Sequence, residues 1–141
     1  MTKKALYRRL NRVEDLDGRL KVVCMKIERL ESCLQGHAIR YDVDKVQTSP
    51  QDPVADIMAS LDKLLDQKKR LQAEIAKAVD DVADLIDLLL PEKQDNNQWL
   101  VMHYRYIAGY KWRVIASIIG VSERHVYRLH DEAIDWLAKK V

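Results

Sequence analysis

The 141-residue sequence contains few turn-forming residues, with four Gly and three Pro, and it contains no Phe. A β-sandwich or β-barrel needs many turns between short strands, so this composition argues against both architectures. Residues with high helix propensity dominate instead, and hydrophobic residues make up 48% of the chain, which is enough for a core. We therefore predict an all-α protein.

Long apolar runs and paired cysteines are also missing. No segment approaches the roughly 20 consecutive apolar residues that a membrane-spanning helix requires, and the basic residues 1–11 lack the apolar stretch of a signal peptide. Cys24 and Cys33 lie nine residues apart on one predicted helix and form no C-x-x-C pair. We expect a reduced, cytoplasmic protein that has no contact with membranes, no disulfide framework and no zinc site.

Sequence signals of enzymes are absent as well. The chain has no Gly-rich phosphate loop, no G-x-S-x-G turn and no paired acid/base constellation. His125 and His130 are five residues apart, whereas two ligands on one helical face lie four apart, so we expect no metal site. His103 is expected to be a packed or capping residue. We predict no catalytic residue, no enzymatic activity and no cofactor.

The first 90 residues contain a seven-residue repeat of apolar side chains. Its a positions are Leu6, Val13, Leu20, Ile27 and Leu34, and then Val54, Leu61, Lys68, Ile75, Val82 and Leu89. Such a repeat is typical of helices that pack along a seam, whereas Gly36, Pro50 and Pro53 are typical of a loop. We predict a long antiparallel two-helix coiled-coil hairpin over residues 1–90, with helices over about 4–35 and 54–90 and a loop over 36–53.

Charge is distributed unevenly along the chain. The net charge is +4 over residues 1–35, −4 over residues 54–95 and +3 over residues 96–141. Opposite charge favours pairing of the two predicted long helices, and a basic C-terminal segment suits an anionic partner.

The apolar stripe of the long helices is wider than a two-stranded seam requires, because apolar residues also occupy e positions. The residues concerned are Leu10, Met58, Leu65, Val79 and Ile86. A face of this width suits a bundle of more than two helices, and we predict a homodimer held by these five residues. The alternative is that they cover the C-terminal domain.

Aromatic residues are concentrated near the C-terminus, where all three Trp and four of the six Tyr lie in the last 43 residues. The spacing over residues 111–129 is typical of a helix-turn-helix. Ala116 lets two helices approach closely, Gly120 suits a turn with positive φ, and Ser122 is a strong N-cap. We predict a DNA-binding helix-turn-helix domain over residues 91–141. The apolar residues expected between its two helices are Ile115, Ile119, Val121, Val126 and Leu129.

The segment from Tyr104 to Leu137 resembles region four of bacterial sigma factors, which binds the promoter −35 element through its second helix. The whole layout resembles small phage-encoded transcriptional regulators of the ArpU/RinA type. The resemblance implies sequence-specific regulation of phage or prophage genes in a bacterial cell. It also implies contact with RNA polymerase, which region four makes. The chain has no counterpart of the segment that melts the −10 element, so we do not expect a complete sigma factor. Its recognition helix differs from that of the housekeeping factors, so no −35 preference is carried over.

The residues that would contact double-stranded DNA fall into two groups. The solvent face of the second helix consists of Ser122, Glu123, Arg124, Tyr127, Arg128 and Asp131. Arg124 or Arg128 can donate to guanine O6 and N7, and Glu123 can accept from a cytosine amine. The basic residues expected to contact phosphates are Arg105, Lys111 and Arg113. The alternative for both groups is a solvated charged face.

Two other functions fit the same pattern. One is a helical adaptor or inhibitor whose coiled coil captures a protein and whose helix-turn-helix binds no specific DNA. The other is a small terminase subunit of phage packaging, although that protein usually carries its DNA-binding module first in the chain.

Overall fold

The computed structural model describes residues 1–43, 53–89 and 96–141, and these residues form six α-helices. The helices are α1 (Lys3–Leu10), α2 (Arg12–Val43), α3 (Pro53–Asp87), α4 (Asn96–Tyr106), α5 (Trp112–Ile119) and α6 (Glu123–Lys140). The described residues contain no strand, so the prediction of an all-α protein is confirmed. None of these helices combines the length and apolar character needed to cross a membrane.

The ends of the long helices differ from the prediction. A break at Asn11 separates α1 from α2, and α2 continues through Gly36 to Val43. The predicted loop was therefore wrong for residues 36–43, because a Gly inside a helix costs only about 1 kcal/mol relative to Ala and removes no hydrogen bond. Pro53 starts α3, where its missing N–H leaves no intrahelical bond unmade. α3 ends at Asp87 and is followed by a turn at residues 88 and 89, so the predicted helix end near Leu90 was about three residues too late. The remaining loop residues 44–52 and Leu90 itself lie outside the described residues.

The chain folds as two compact units, and α2 and α3 contribute to both. We call residues 1–16, 75–89 and 96–141 the terminal unit. We call residues 17–43 and 53–74 the middle unit. Each unit therefore combines segments that are distant in sequence.

The terminal unit is built around α6, against which α1, α4 and α5 pack. The buried side of α6 repeats every three or four residues, as expected for a helix with one apolar face, and consists of Val126, Leu129, His130, Ala133, Ile134 and Leu137. Leu6 and Leu10 of α1 are fully buried in this unit. The amino group of Met1 donates to the carbonyl oxygen of Val141 at 3.0 Å, so the two ends of the chain meet.

The middle unit consists of two antiparallel helical segments. Val23 of α2 lies with Leu71 of α3 in one groove, and Leu30 lies with Leu64 in the next groove. Residue numbers rise along α2 as they fall along α3, which is the antiparallel order. The buried side chains of this unit occupy a and d positions of the repeat: Val23, Ile27, Leu61 and Leu71.

The five residues predicted to hold a homodimer do not share one environment. Leu10 and Ile86 are fully buried within a single chain, Val79 is half-buried, and Met58 and Leu65 are exposed. The prediction that Leu10 and Ile86 hold a homodimer was wrong, because both side chains lie in the terminal unit and are already covered within one chain. Met58 and Leu65 keep surface that a second copy can cover.

Candidate nucleic-acid interface

A three-residue turn, Gly120 to Ser122, joins α5 to α6. Gly120 has φ 82° and ψ 34°, and its N–H donates to the carbonyl oxygen of Ala116 at 2.9 Å. A residue with a side chain is strained in this left-handed conformation, so the predicted need for Gly is confirmed. Ser122 then caps α6, because its Oγ accepts from the N–H of His125 at 3.1 Å.

An apolar cluster fixes the angle between the two helices. Its buried members are Val101, Ile115, Ala116, Val126 and Leu129, and the partly buried side chains packed against it are Tyr104, Trp112, Ile119 and Val121. All five apolar residues predicted to lie between the helices are present in this cluster. Val101 and Tyr104, which belong to α4, were not predicted to lie there, and their presence means that the cluster joins three helices, α4, α5 and α6, rather than two.

The predicted recognition face lies on the solvent side of α6 and its cap. All six residues are exposed: Ser122, Glu123, Arg124, Tyr127, Arg128 and Asp131. All of them except Glu123 line one shallow groove along the helix, together with His125, Glu132 and Asp135. The cations of this groove are therefore near the start of α6, and its carboxylates are further along the helix.

Several side chains of this face have partners within the protein. The Tyr127 hydroxyl donates to Oε1 of Glu123 at 3.2 Å, and Nε of Arg128 lies 3.8 Å from Oε1 of Glu132. In each pair the two residues lie one helical turn apart and are exposed. Each pair therefore contributes little to stability, and its members can exchange their partner for another. The Ser122 hydroxyl, in contrast, already serves as the helix cap.

The three basic residues predicted to contact phosphates differ in exposure. Lys111 and Arg113 are exposed at the start of α5. Arg105 of α4 is half-buried, with its guanidinium carbon 4.6 Å from the Trp112 ring centroid and its Nη1 donating to the Tyr110 carbonyl oxygen at 3.1 Å. The structure thus gives Arg105 internal partners that connect α4, the α4–α5 loop and α5.

A buried His–Tyr pair beneath α6 was missed by the sequence analysis. Nε2 of His130 lies 2.6 Å from the Tyr106 hydroxyl, and Nδ1 lies 3.4 Å from Oδ1 of Asp131. With the hydrogen on Nδ1, both contacts are satisfied, because Tyr106 then donates to Nε2. Position 130 follows Val126 by four residues, so the apolar period of α6 could have identified it as buried. Its residue type, histidine, indicated an exposed position instead.

Aromatic rings complete the surroundings of His130. Its ring centroid lies 4.8 Å from that of Trp112 in an edge-on arrangement and 6.2 Å from that of Tyr7 of α1. Burial lowers the pKa of His130 because it removes water from the charged form, and the adjacent Asp131 opposes this only in part. Burial also raises the pKa of the Tyr106 hydroxyl. A neutral imidazole therefore connects α1, α4, α5 and α6.

Two further side chains of α4, Trp99 and His103, contact Asp87 at the end of α3. The Trp99 indole donates to Oδ1 of Asp87 at 2.8 Å, and the His103 ring packs on Trp99 with centroids 4.2 Å apart. His103 is thus packed, one of the two roles expected for it. Within the described ranges, no group of three or more His, Cys, Asp or Glu side chains is placed to hold a metal ion.

Comparisons with protein-family models, with curated proteins and with solved structures found no match to this chain. A functional assignment therefore depends on the residues and on their geometry.

Proposed function

We propose that the protein is a sequence-specific DNA-binding regulator of transcription, in which α5, the turn and α6 form a helix-turn-helix. The observation that carries this proposal is the two-sided character of α6. One side is buried against three other helices, and the opposite side exposes Arg124, Tyr127 and Arg128 in one groove next to a capped helix start. A rigidly held helix with an exposed polar face is what major-groove recognition requires.

The residues divide by role in this proposal. Arg124 and Arg128 reach base edges, where guanidinium groups donate to guanine O6 and N7, and Glu123 accepts from cytosine. Lys111 and Arg113 contact phosphates and fix the position of the protein on the duplex. Arg105 supports the angle of α5 through Trp112 and Tyr110 rather than acting as a free surface cation.

Three further parts of the proposal come from the sequence. They are a role in phage or prophage gene regulation, contact with bacterial RNA polymerase, and self-association as a homodimer. Met58 and Leu65 are the residues of the predicted dimer contact that remain exposed, with Val79 half-buried. If such a dimer were two-fold symmetric, its half-sites on DNA would lie about 10 base pairs apart or a multiple of that spacing.

Selection of bound DNA from a random pool tests this function. We expect one enriched motif. Arg124→Ala or Arg128→Ala should then cost about 1–3 kcal/mol on that motif and relax the preference at one base position. Lys111→Ala and Arg113→Ala should weaken binding to all sequences alike and reduce the salt dependence.

Two results would contradict the assignment. Equal losses on the motif and on random DNA for all four variants would show that α6 does not read sequence. Absence of any enriched motif, even at low salt, would favour the helical adaptor.

A further inference from the structure

The middle unit exposes large apolar side chains on two different sides. Val22 and Met25 of α2 and Met58 and Leu65 of α3 are each between 44% and 62% exposed. Scattered apolar residues are normal on a protein surface, but these lie in two patches on a unit that has only two helical segments.

The first patch is a groove between the two helices. Met25, Leu30 and Leu64 form its apolar surface, and Lys26 and Arg29 line it with their long side chains. Lys26 also lines the neighbouring groove, together with two other cations, Arg19 and Arg70, and one carboxylate, Glu74. Nη2 of Arg70 lies 3.8 Å from Oδ2 of Asp66, an exposed pair that contributes little to stability and leaves a surplus of cations on this side. All of the residues that line the two grooves except Met25, which is at an outer f position, occupy c, d or g positions of the repeat, and these three positions lie on one side of the helix pair. This side, which we call the basic groove, combines an apolar floor with cations.

The second patch lies on the other side of the pair. Met58 and Leu65 occupy e positions, and in an antiparallel pair the e and g positions flank the seam on opposite sides. Asp62 lies between them, four residues after Met58 and three before Leu65, and it is exposed. The pairing of Leu30 with Leu64 places the exposed Glu28 and Glu31 of α2 at the same level.

We call this second side the acidic patch. Its central residues are Met58, Leu65, Asp62, Glu28 and Glu31, and Lys68 and Lys69 mark its end one turn beyond Leu65. The basic groove and the acidic patch thus lie at the same level of the unit, on opposite sides, with the same apolar character and opposite charge.

We propose that the basic groove of one copy binds the acidic patch of a second copy of this chain. Met58 and Leu65 then lie against Met25, Leu30 and Leu64, and the carboxylates of the acidic patch face Lys26 and Arg29. Charge complementarity fixes this choice of occupant, because two basic grooves or two acidic patches facing each other would repel. The inference is independent of DNA binding.

A contact of this kind is heterologous, since each copy contributes a different surface. Two copies form one contact and leave one basic groove and one acidic patch uncovered, so further copies can add until a ring closes. This contact replaces a two-fold symmetric homodimer, in which the same surface of both copies would meet.

Two single substitutions in the full chain distinguish the heterologous contact from a symmetric dimer. Met25→Glu places a carboxylate in the basic groove, and Leu65→Lys places a cation in the acidic patch. Both side chains are exposed, so neither change disturbs a buried position. Ala73→Glu, at an exposed f position on the back of α3, is the control for added charge. Sedimentation velocity at increasing protein concentration gives the association constant.

We expect the unmutated chain and the control to associate to two or more copies. Each of the other variants alone should lose about tenfold or more in association constant, because like charges then face each other across the contact. Mixing Met25→Glu with Leu65→Lys should restore association, since each variant keeps the surface that the other lacks. Fluorescent labelling of one variant identifies the mixed species.

Three results would overturn the proposal. The first is a monomeric mass for the unmutated chain at the highest concentration. The second is unchanged association of either variant alone, which would mean that its surface is not used. The third is a mixture that stays monomeric, which would mean that the acidic patch kept by Met25→Glu does not bind the basic groove kept by Leu65→Lys.

Discussion

The terminal and middle units bury their apolar residues to different degrees. Among the described residues, every apolar side chain that is less than 2% exposed belongs to the terminal unit, including Leu6, Ile86, Ile115 and Leu137. The buried residues of the middle unit range from Val23 at 5% to Leu71 at 9%. Two helices can cover a side chain along one seam only, whereas the terminal unit surrounds its core with several helices. The same sequence pattern therefore produces a closed core in one region and open apolar sides in the other.

Polar groups are distributed in the same way. The buried polar side chains among the described residues, Gln98 and His130, both lie in the terminal unit. Nε2 of Gln98 donates to Oε2 of Glu132 at 2.8 Å, and His130 has Tyr106 as its partner. Buried residues of the middle unit are aliphatic. Among the described residues, hydrogen bonds made by buried polar side chains are therefore confined to the unit that carries the proposed DNA-binding face.

We expect the largest change in the free energy of unfolding from substitutions at two e positions, Ile86 and Leu65, which the repeat alone does not distinguish. Ile86→Ala should cost the terminal unit about 2–5 kcal/mol, since Ile86 is fully buried. Leu65→Ala should cost less than about 1 kcal/mol, because Leu65 is 44% exposed. Urea unfolding of the dilute chain measures both, with tryptophan fluorescence reporting on the terminal unit and circular dichroism on the helices of both units. Similar losses for the two variants would contradict the difference between the units.

Replacing two glycines by Ala should change the free energy of unfolding by smaller amounts, with opposite signs at the two positions. Gly120→Ala should destabilise the terminal unit by about 1–2 kcal/mol, because φ at this position is 82°. Gly18→Ala should stabilise α2 by about 0.5–1 kcal/mol, because Gly18 lies within the helix without positive φ. A Cβ at either position has open space, so backbone conformation alone separates them. Thermal unfolding by circular dichroism measures both, and destabilisation by Gly18→Ala would refute this account.

A third and smaller effect concerns how the stability of the terminal unit depends on pH. The pKa of His130 is lowered in the folded state by burial. The unfolded chain therefore takes up the proton first as the pH falls below about 6.5, and folding stability decreases from there towards the lower folded-state pKa. His130→Gln should remove this acid sensitivity, whereas His125→Gln, at the edge of the surface groove, should keep it. Denaturation midpoints between pH 5 and 8 test this, and unchanged sensitivity in His130→Gln would contradict it.

Local features of the site were predictable because their causes are local. The left-handed turn at Gly120, the Ser122 cap and the apolar residues between α5 and α6 follow from conformational preference and helical period. The exposure of Arg124 and Arg128 follows from the same period, since the opposite side of α6 is apolar.

The repeat by itself determined that the chain is helical and which residues share a helical face, because backbone hydrogen bonding and the spacing of apolar residues act within one segment. Tertiary structure alone decided which of those faces is covered. Leu10 and Ile86 are buried while Met58 and Leu65 are exposed, although all four occupy e positions. It also decided that Arg105 packs on Trp112 and that His130 is buried against Tyr106. Burial depends on segments distant in the chain, and no local pattern records which segments they are.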